Sequence, residues 1–249
     1  MESQDEELAS RLAGEAGRLL LELRSGFSGD RTSLAKAGDR RSHEHLVAEI
    51  SRQRPADAIV SEEDEELQRP WPRPARQWVI DPLDGTREYS EMRSDFAVHV
   101  ALVVDGTAQI GAVALPGEDL VLASGGAARA ALSERPEGPV RILVSRTRPP
   151  EEAKAVAEML SAELVPMGSA GAKSMAVVRG VGDAYLHSGG QYEWDSAAPV
   201  AVAVAAGAFA SRLDGSPIRY GRRDAWLPDL LICRPELAPD ILEALATLR

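Results

Sequence analysis

The sequence predicts an α/β chain in which an α+β half, residues 1–135, precedes an α/β half, residues 136–249. Three observations carry this. The Val- and Ala-rich segments Phe96 to Val104 and Gln109 to Leu115 flank Asp105-Gly106, a hairpin signal. After the Gly-, Ala- and Pro-rich stretch from Ser124 to Pro139, short apolar strands alternate with helical segments. Carboxylates also recur where strands end or helices begin, at Glu62, Asp81, Asp84 and Asp195, positions from which open sheets project side chains into a crevice.

Taken in order, Glu6 to Leu23 carries Leu8, Leu12, Ala16, Leu19, Leu20 and Leu23 at helical spacing. A second helix is expected over about Arg41 to Arg52, with Leu46, Val47 and Ile50 inward and Pro55 beyond it. Ala58-Ile59-Val60 reads as a strand, Asp64 to Pro74 as a charged loop, and Trp78-Val79-Ile80 as the next strand. The hairpin follows, and Asp119 to Ala123 adds a third antiparallel strand. In the second half, strands are expected at Arg141 to Ser145, Leu164-Val165, Ala184 to His187, Ala208 to Leu213 and Leu230 to Cys233. Helices are expected at Glu151 to Leu160, Ala170 to Arg179, Asp195 to Ala206 and from Ala238.

Composition narrows the function. Of 249 residues 44% are apolar, enough for a real core, but aromatics are only 4%, so Ala, Val and Leu must do most of the packing. Basic residues number 28 against 39 acidic, a net charge of −11, which argues against a nucleic-acid polymer or an anionic membrane as partner. The single cysteine, Cys233, lies in an apolar run and reads as a buried packing residue. With no second cysteine, an internal disulfide is impossible and a reducing compartment is expected. The acidic start lacks a signal-peptide core, and no apolar run reaches the ~20 residues of a membrane span, so the expected location is the cytoplasm.

The stretch Asp81-Pro82-Leu83-Asp84-Gly85-Thr86 places two carboxylates three residues apart after an apolar strand, and Asp195 opens an Ala/Val-rich helix far downstream. Hard divalent cations favour such oxygen-rich surroundings, and paired cations favour a phosphoryl group between them. Each residue alone has a plainer reading. Asp81 before Pro82 can be a turn former, Asp195 a helix cap, and Glu65 and Glu66 a solvated face.

Together, Ser61-Glu62-Glu63, Asp81 to Thr86 and Glu193 to Ala198 resemble the lithium-sensitive inositol monophosphatase superfamily, from about Leu8 to Leu231. That superfamily includes inositol monophosphatase, fructose-1,6-bisphosphatase and the 3′-phosphoadenosine 5′-phosphate (PAP) phosphatases. Val144 to Arg146, Gly168 to Lys173 and Tyr185 to Pro199 are most similar to the bacterial CysQ-type members. The resemblance implies a layered αβαβα sugar-phosphatase fold and two or three Mg²⁺ ions. It places the first ion on Glu62, Asp81 and the Leu83 carbonyl, and the second on Asp81, Asp84 and Asp195, with Glu62 helping to hold a third. It assigns catalytic roles to Glu62, Thr86 and Asp39, the last two orienting the attacking water. The plainer reading of Asp39 is the N-cap of the second helix, and both roles can coexist. Inhibition by Li⁺ is also implied, and dimers occur in the superfamily.

The implied substrate is PAP, hydrolysed to AMP and phosphate, with inositol-1-phosphate and fructose-1,6-bisphosphate as alternatives. Substrate contacts are expected from the Gly85 and Thr86 N–H groups, Gly168, Ser169, Lys173 and Asp195, with Arg146 and Arg148 nearby. Tight Gly/Ala packing is the competing reading of Gly168 to Ala170, and an ordinary exposed lysine that of Lys173. Two positions depart from pattern. Ser188 stands where inositol-selective members carry Glu, and His187 where PAP-type members often carry Arg. His187 is either a weak phosphate contact or a half-buried histidine. His99, alternating with Val98 and Val100, reads as structural, His43 and His45 as helix surface, and Trp194 as packing beside Asp195.

Overall fold

The computed structural model describes residues 2–68 and 74–248. Residues 69–73 of the expected charged loop lie outside them, and the part that is described forms a short helix, α3 (Glu65–Gln68).

Two long helices come first, α1 (Glu2–Gly26) and α2 (Arg31–Gln53). The first sheet has the order β1 (Ala58–Ser61), β2 (Arg76–Asp84), β3 (Ala97–Val104), β4 (Thr107–Leu115), β5 (Leu120–Ala123). Only β1 and β2 are parallel. A one-turn helix, α4 (Thr86–Ser90), leaves the end of β2. The second half contains β6 (Arg141–Ser145), α5 (Glu151–Met159), β7 (Glu163–Met167), α6 (Ala170–Val178), β8 (Ala184–Tyr192), α7 (Glu193–Ala206), β9 (Phe209–Ser211), β10 (Trp226–Cys233) and α8 (Ala238–Ala246). Its sheet runs β7-β6-β8-β10-β9, with β7, β6 and β8 parallel and β10 antiparallel to its neighbours.

The layers follow from which face each strand residue presents. Successive strand residues point to opposite faces, so Trp78, Ile80, Val98, Val100 and Leu102 pack with Leu12, Leu20, Leu46 and Ile50 of α1 and α2. The alternate residues Val79, Ala97, Ala101 and Val103 pack with Met175, Val177, Ala197 and Val202 of α6 and α7. Tyr185, Leu230 and Ile232 of the second sheet close the other side of that helix layer. Beyond them Ile142, Val144, Leu186 and Leu231 meet Val156, Ile241 and Leu245 of α5 and α8. The stack is therefore α, β, α, β, α, and the central helix layer, from the second half, shares one core with both sheets.

Small residues make this stacking possible with so few rings. A Cβ at Gly111 would lie 2.5 Å from the Ala198 carbonyl, so α7 rests directly on β4. The second helix begins at Arg31, ten residues earlier than expected, and passes through Gly38 without a break. A side chain at Gly38 would meet Tyr89 at 2.8 Å and Leu83 at 3.0 Å. Close packing against the β2 end explains that glycine. Asp39 consequently lies inside the helix; the N-cap is Asp30, which accepts the Ser33 N–H at 2.7 Å.

Candidate active site

Strand β1 runs parallel to β2 with Ser61 beside Ile80, so Glu62 and Asp81, which follow, emerge side by side. The Glu62 N–H continues the ladder, donating to the Ile80 carbonyl at 3.4 Å. Residues three apart on a regular strand face opposite ways. Here the β2–β3 register slips between Asp81 and Asp84, and the bulge turns both carboxylates to one side. Ser42 of α2 anchors the bulge by donating to the Pro82 carbonyl at 2.7 Å. Gly85 then takes φ +86°, where a Cβ would press Ser169 at 3.2 Å and the Phe96 backbone at 3.3 Å.

Asp195 arrives from the first turn of α7, where its Oδ2 accepts the Tyr192 N–H at 2.6 Å. The cap and the site residue are one carboxylate, since capping fixes its orientation. Ligand oxygens of Asp81, Asp84 and Asp195 all lie within 4.8 Å of one another. Glu62 stands at the exposed rim of the same crevice and shares a hydrogen bond with Asp81.

Charge is crowded here. Burial, then Glu62, Asp84 and Asp195, push the Asp81 carboxyl well above the usual range. Burial and Asp84 lift Asp195 to about 6. Lost hydration and Asp195 raise Glu62 to about 7. Carboxylates this close resist ionising together unless a counter-charge joins them. An all-oxygen donor set with excess negative charge fits a hard divalent cation.

Asp84 behaves differently. Burial opposes its ionisation, yet the neighbouring His99 ring, with help from Lys173 and Ser169, holds it well below the usual range. It accepts the Ser169 hydroxyl at 2.5 Å, the Gly171 N–H at 2.7 Å and the Ala170 N–H at 3.1 Å. The start of α6 is thus aimed at Asp84, which satisfies N–H groups a helix leaves unpaired and complements its dipole. Gly168 donates instead to Asp95 at 2.8 Å. Ser169 and Gly168, expected to touch substrate, are engaged with carboxylates of the protein itself.

The strand alternation makes His99 a structural residue, and the structure gives that role a specific place. It sits directly across from Asp81 in the β2–β3 ladder, fully buried. A carbonyl can only accept, so Nδ1 carries a proton to the Trp194 carbonyl at 3.0 Å. Nε2 then faces Asp84 Oδ2 at 3.2 Å. One ring therefore ties the Asp84 bulge to the start of the helix bearing Asp195. The signal is its place on the face of β3 that packs on α6 and α7, directly across from Asp81, and it depends on the strand register.

The Thr86 hydroxyl lies 3.0 Å from the Leu83 carbonyl and 3.3 Å from Asp39 Oδ1. Burial and Glu63 push Asp39 up to about 7. Lys173 is buried, not the exposed lysine of the plainer reading. Its Nζ donates to Ser169 O at 2.5 Å and Gly168 O at 3.3 Å, and burial brings it down to about 8. His187 contacts the Gly190 carbonyl through Nε2 at 2.8 Å, and burial lowers its pKa, so it does not replace an arginine's charge. His43 is not simply surface: its Nδ1 lies 2.9 Å from the Ser61 hydroxyl beneath the site. Trp194 is buried, and Cys233 is buried with its thiol pushed up to about 12.

A cavity of about 450 Å³ opens from this cluster, lined by Asp84, Asp195, Ser169, Lys173, His187 and Trp226 among others. A larger one, about 620 Å³, lies beside α1 near Arg11 and Val121, away from the carboxylate cluster. Convergent ionisable groups, not volume, mark the functional cavity. Among the described residues no helix is long and apolar enough to cross a membrane.

Comparison with known proteins identifies the family. The Inositol monophosphatase family profile matches residues 2–248. A Mycobacterium tuberculosis protein named 3′-phosphoadenosine 5′-phosphate phosphatase is 48% identical over 93% of this chain and 90% of its own length. The Escherichia coli 3′(2′),5′-bisphosphate nucleotidase CysQ is 28% identical over 87% of this chain and 94% of its own. The crystal structure of CysQ from Bacteroides thetaiotaomicron superposes with a TM-score of 0.78 at 24% identity, covering 93% of this chain and 97% of that one. The chain belongs to the inositol monophosphatase family.

Proposed function

We propose that this protein is a Mg²⁺-dependent phosphatase that hydrolyses the 3′-phosphate of PAP, yielding AMP and phosphate. The observation that carries the reading is the convergence of Asp81, Asp84 and Asp195 beside the Thr86–Asp39 pair. The substrate comes from the relatives at 48% identity, which are named for PAP, and this disfavours inositol-1-phosphate and fructose-1,6-bisphosphate.

Glu62, Asp81, Asp84, Asp195 and the Leu83 carbonyl would hold two or three Mg²⁺ ions. Bound there, Mg²⁺ supplies positive charge that offsets the phosphoryl anion and makes water easier to ionise. With the Leu83 carbonyl engaged by an ion, Thr86 would direct its proton to Asp39, leaving its oxygen lone pairs to accept a hydrogen bond from the attacking water. Asp39, raised to about 7, is matched to taking up a proton near neutral pH. The left-handed turn at Gly85 lets the Gly85 and Thr86 N–H groups approach the phosphate oxygens. Lys173 adds positive charge on the cavity side. Ser169 and His99 position Asp84.

Phosphate release with Mg²⁺ from PAP, inositol-1-phosphate and fructose-1,6-bisphosphate tests this. The expected order places PAP first, with Li⁺ slowing the reaction. Faster release from either sugar phosphate overturns the substrate assignment.

A further inference from the structure

One edge of the cavity is made by the ends of β8 and β10, where Trp226 lies directly across from Tyr192. Paired residues on adjacent strands share a face. Both rings are exposed, Trp226 by 44% and Tyr192 by 47%. They are the only two aromatic side chains among the large exposed apolar residues described, and both line the cavity that holds Asp84 and Asp195. Tyr192 already stacks on Trp194, at 4.8 Å and 10°. Among the described residues, no ring or cation stacks on Trp226.

The indole is held in place without being covered. Gly190, at φ +97°, lies under it: a Cβ there would meet Nε1 at 2.4 Å and Cζ2 at 3.0 Å. The glycine lets the ring lie against the end of β8.

Two arginines on the loop after β6 differ in the same region. Arg146 is engaged by Glu88 at 3.1 Å and by Asp95. Arg148 is exposed, makes no side-chain ion pair among the described residues, and borders both this cavity and an adjoining one of about 510 Å³. In a chain of net charge −11, an unpaired guanidinium at a cavity mouth is a ready partner for a phosphate.

The geometry points to Trp226 as the stacking platform for the adenine base and to Arg148 as the contact for the 5′-phosphate, the group that is not cleaved. This inference rests on the PAP reading and specifies how one end of the cavity recognises that substrate. An apolar ring takes the flat base, a cation takes the distal phosphate, and the carboxylate cluster faces the 3′-phosphate.

Steady-state kinetics of the full chain with Mg²⁺ and PAP test it. Truncating a base-stacking ring typically costs at least ~1 kcal/mol, about fivefold in affinity. Trp226→Ala should therefore raise KM for PAP at least about fivefold and leave kcat within about twofold, while Trp226→Phe recovers most of the loss. Arg148→Ala should raise KM by a similar factor, with Arg148→Lys restoring part of it. Both side chains are exposed, and unchanged thermal unfolding of each variant verifies that the fold is intact. An unchanged KM in Trp226→Ala removes the platform, and an unchanged KM in Arg148→Ala removes the phosphate contact. Wild-type protein that releases no phosphate from PAP instead overturns the underlying substrate reading, a separate and recognisable result.

Discussion

On the carboxylate wall Asp81, Asp84 and Asp195 are all fixed by the backbone around them: Asp81 accepts the Leu83 N–H at 3.1 Å, Asp84 the start of α6, and Asp195 the Tyr192 N–H. The rim of the same cavity, at the ends of β8 and β10, carries Gly189 and Gly190 at positive φ and the exposed Trp226, and Arg148, on the loop after β6, makes no side-chain ion pair among the described residues. The difference teaches a division of labour. Groups that must bear unfavourable charge at fixed spacing are built on buried strand and helix ends, where many bonds hold each in place. Groups that read a substrate sit at an edge where changing one residue leaves the rest undisturbed.

The comparison breaks most decisively at Asp84. Asp84→Asn removes one charge from the cluster while keeping side-chain shape. Losing a partner that only orients a metal ligand typically costs about 10- to 100-fold, so losing the ligand itself should lower kcat by more than about 100-fold. Phosphate release measures this, with circular dichroism verifying the fold.

A weaker test on the same wall is His99→Leu, which severs the tie between Asp84 and the Trp194 carbonyl. Mg²⁺ affinity or kcat should fall about 10- to 100-fold, with KM for PAP nearly unchanged. A Mg²⁺ activation curve separates this from general damage, since added Mg²⁺ should recover part of the loss.

The charge crowding is itself measurable. Asp195 at about 6, and Glu62 and Asp39 at about 7, lie above their ordinary values of 3.8, 4.5 and 3.8. Unfolded carboxylates ionise first as pH rises, so the folded chain binds more protons between about pH 4 and 7. Without metal its stability therefore falls across that window. Melting temperatures of chelator-treated protein should decline over this range, and the gain on adding Mg²⁺ should be larger at about pH 7.5 than at about pH 5.

The smallest effect is expected at the open rim. A methyl at Gly189 would find nothing within 4 Å, but its φ of +90° disfavours any side chain. Gly189→Ala should destabilise the fold by roughly 1 kcal/mol and leave kcat within about twofold. A large loss of kcat would show that this edge takes part in positioning the reacting groups.

How much of this was readable in advance differs between wall and rim in the same way. The strands leading to Glu62 and Asp81, the hairpin and the alternating second half are local patterns, and they appear close to where expected. The carboxylates Asp81 and Asp84 stand out because Asp81 to Thr86 is contiguous. Asp39 reads as an N-cap because the apolar spacing is clear only from about Arg41, whereas the helix begins at Arg31 and Asp30 caps it. The role of His99 depends on register with β2, which the chain does not state locally. The aromatic edge is not legible locally for a related reason. Tyr192 and Trp226 are 34 positions apart in a 249-residue chain, and only β8–β10 pairing brings them together.

The central claim is that separate acidic side chains form one cation site, and calorimetric titration of Mg²⁺ into chelator-treated protein addresses it most directly. Saturable uptake in the wild type, lost or strongly weakened in both Asp81→Asn and Asp195→Asn, is the predicted result. Absence of uptake by the folded wild type, or uptake unchanged in both variants, would contradict the account.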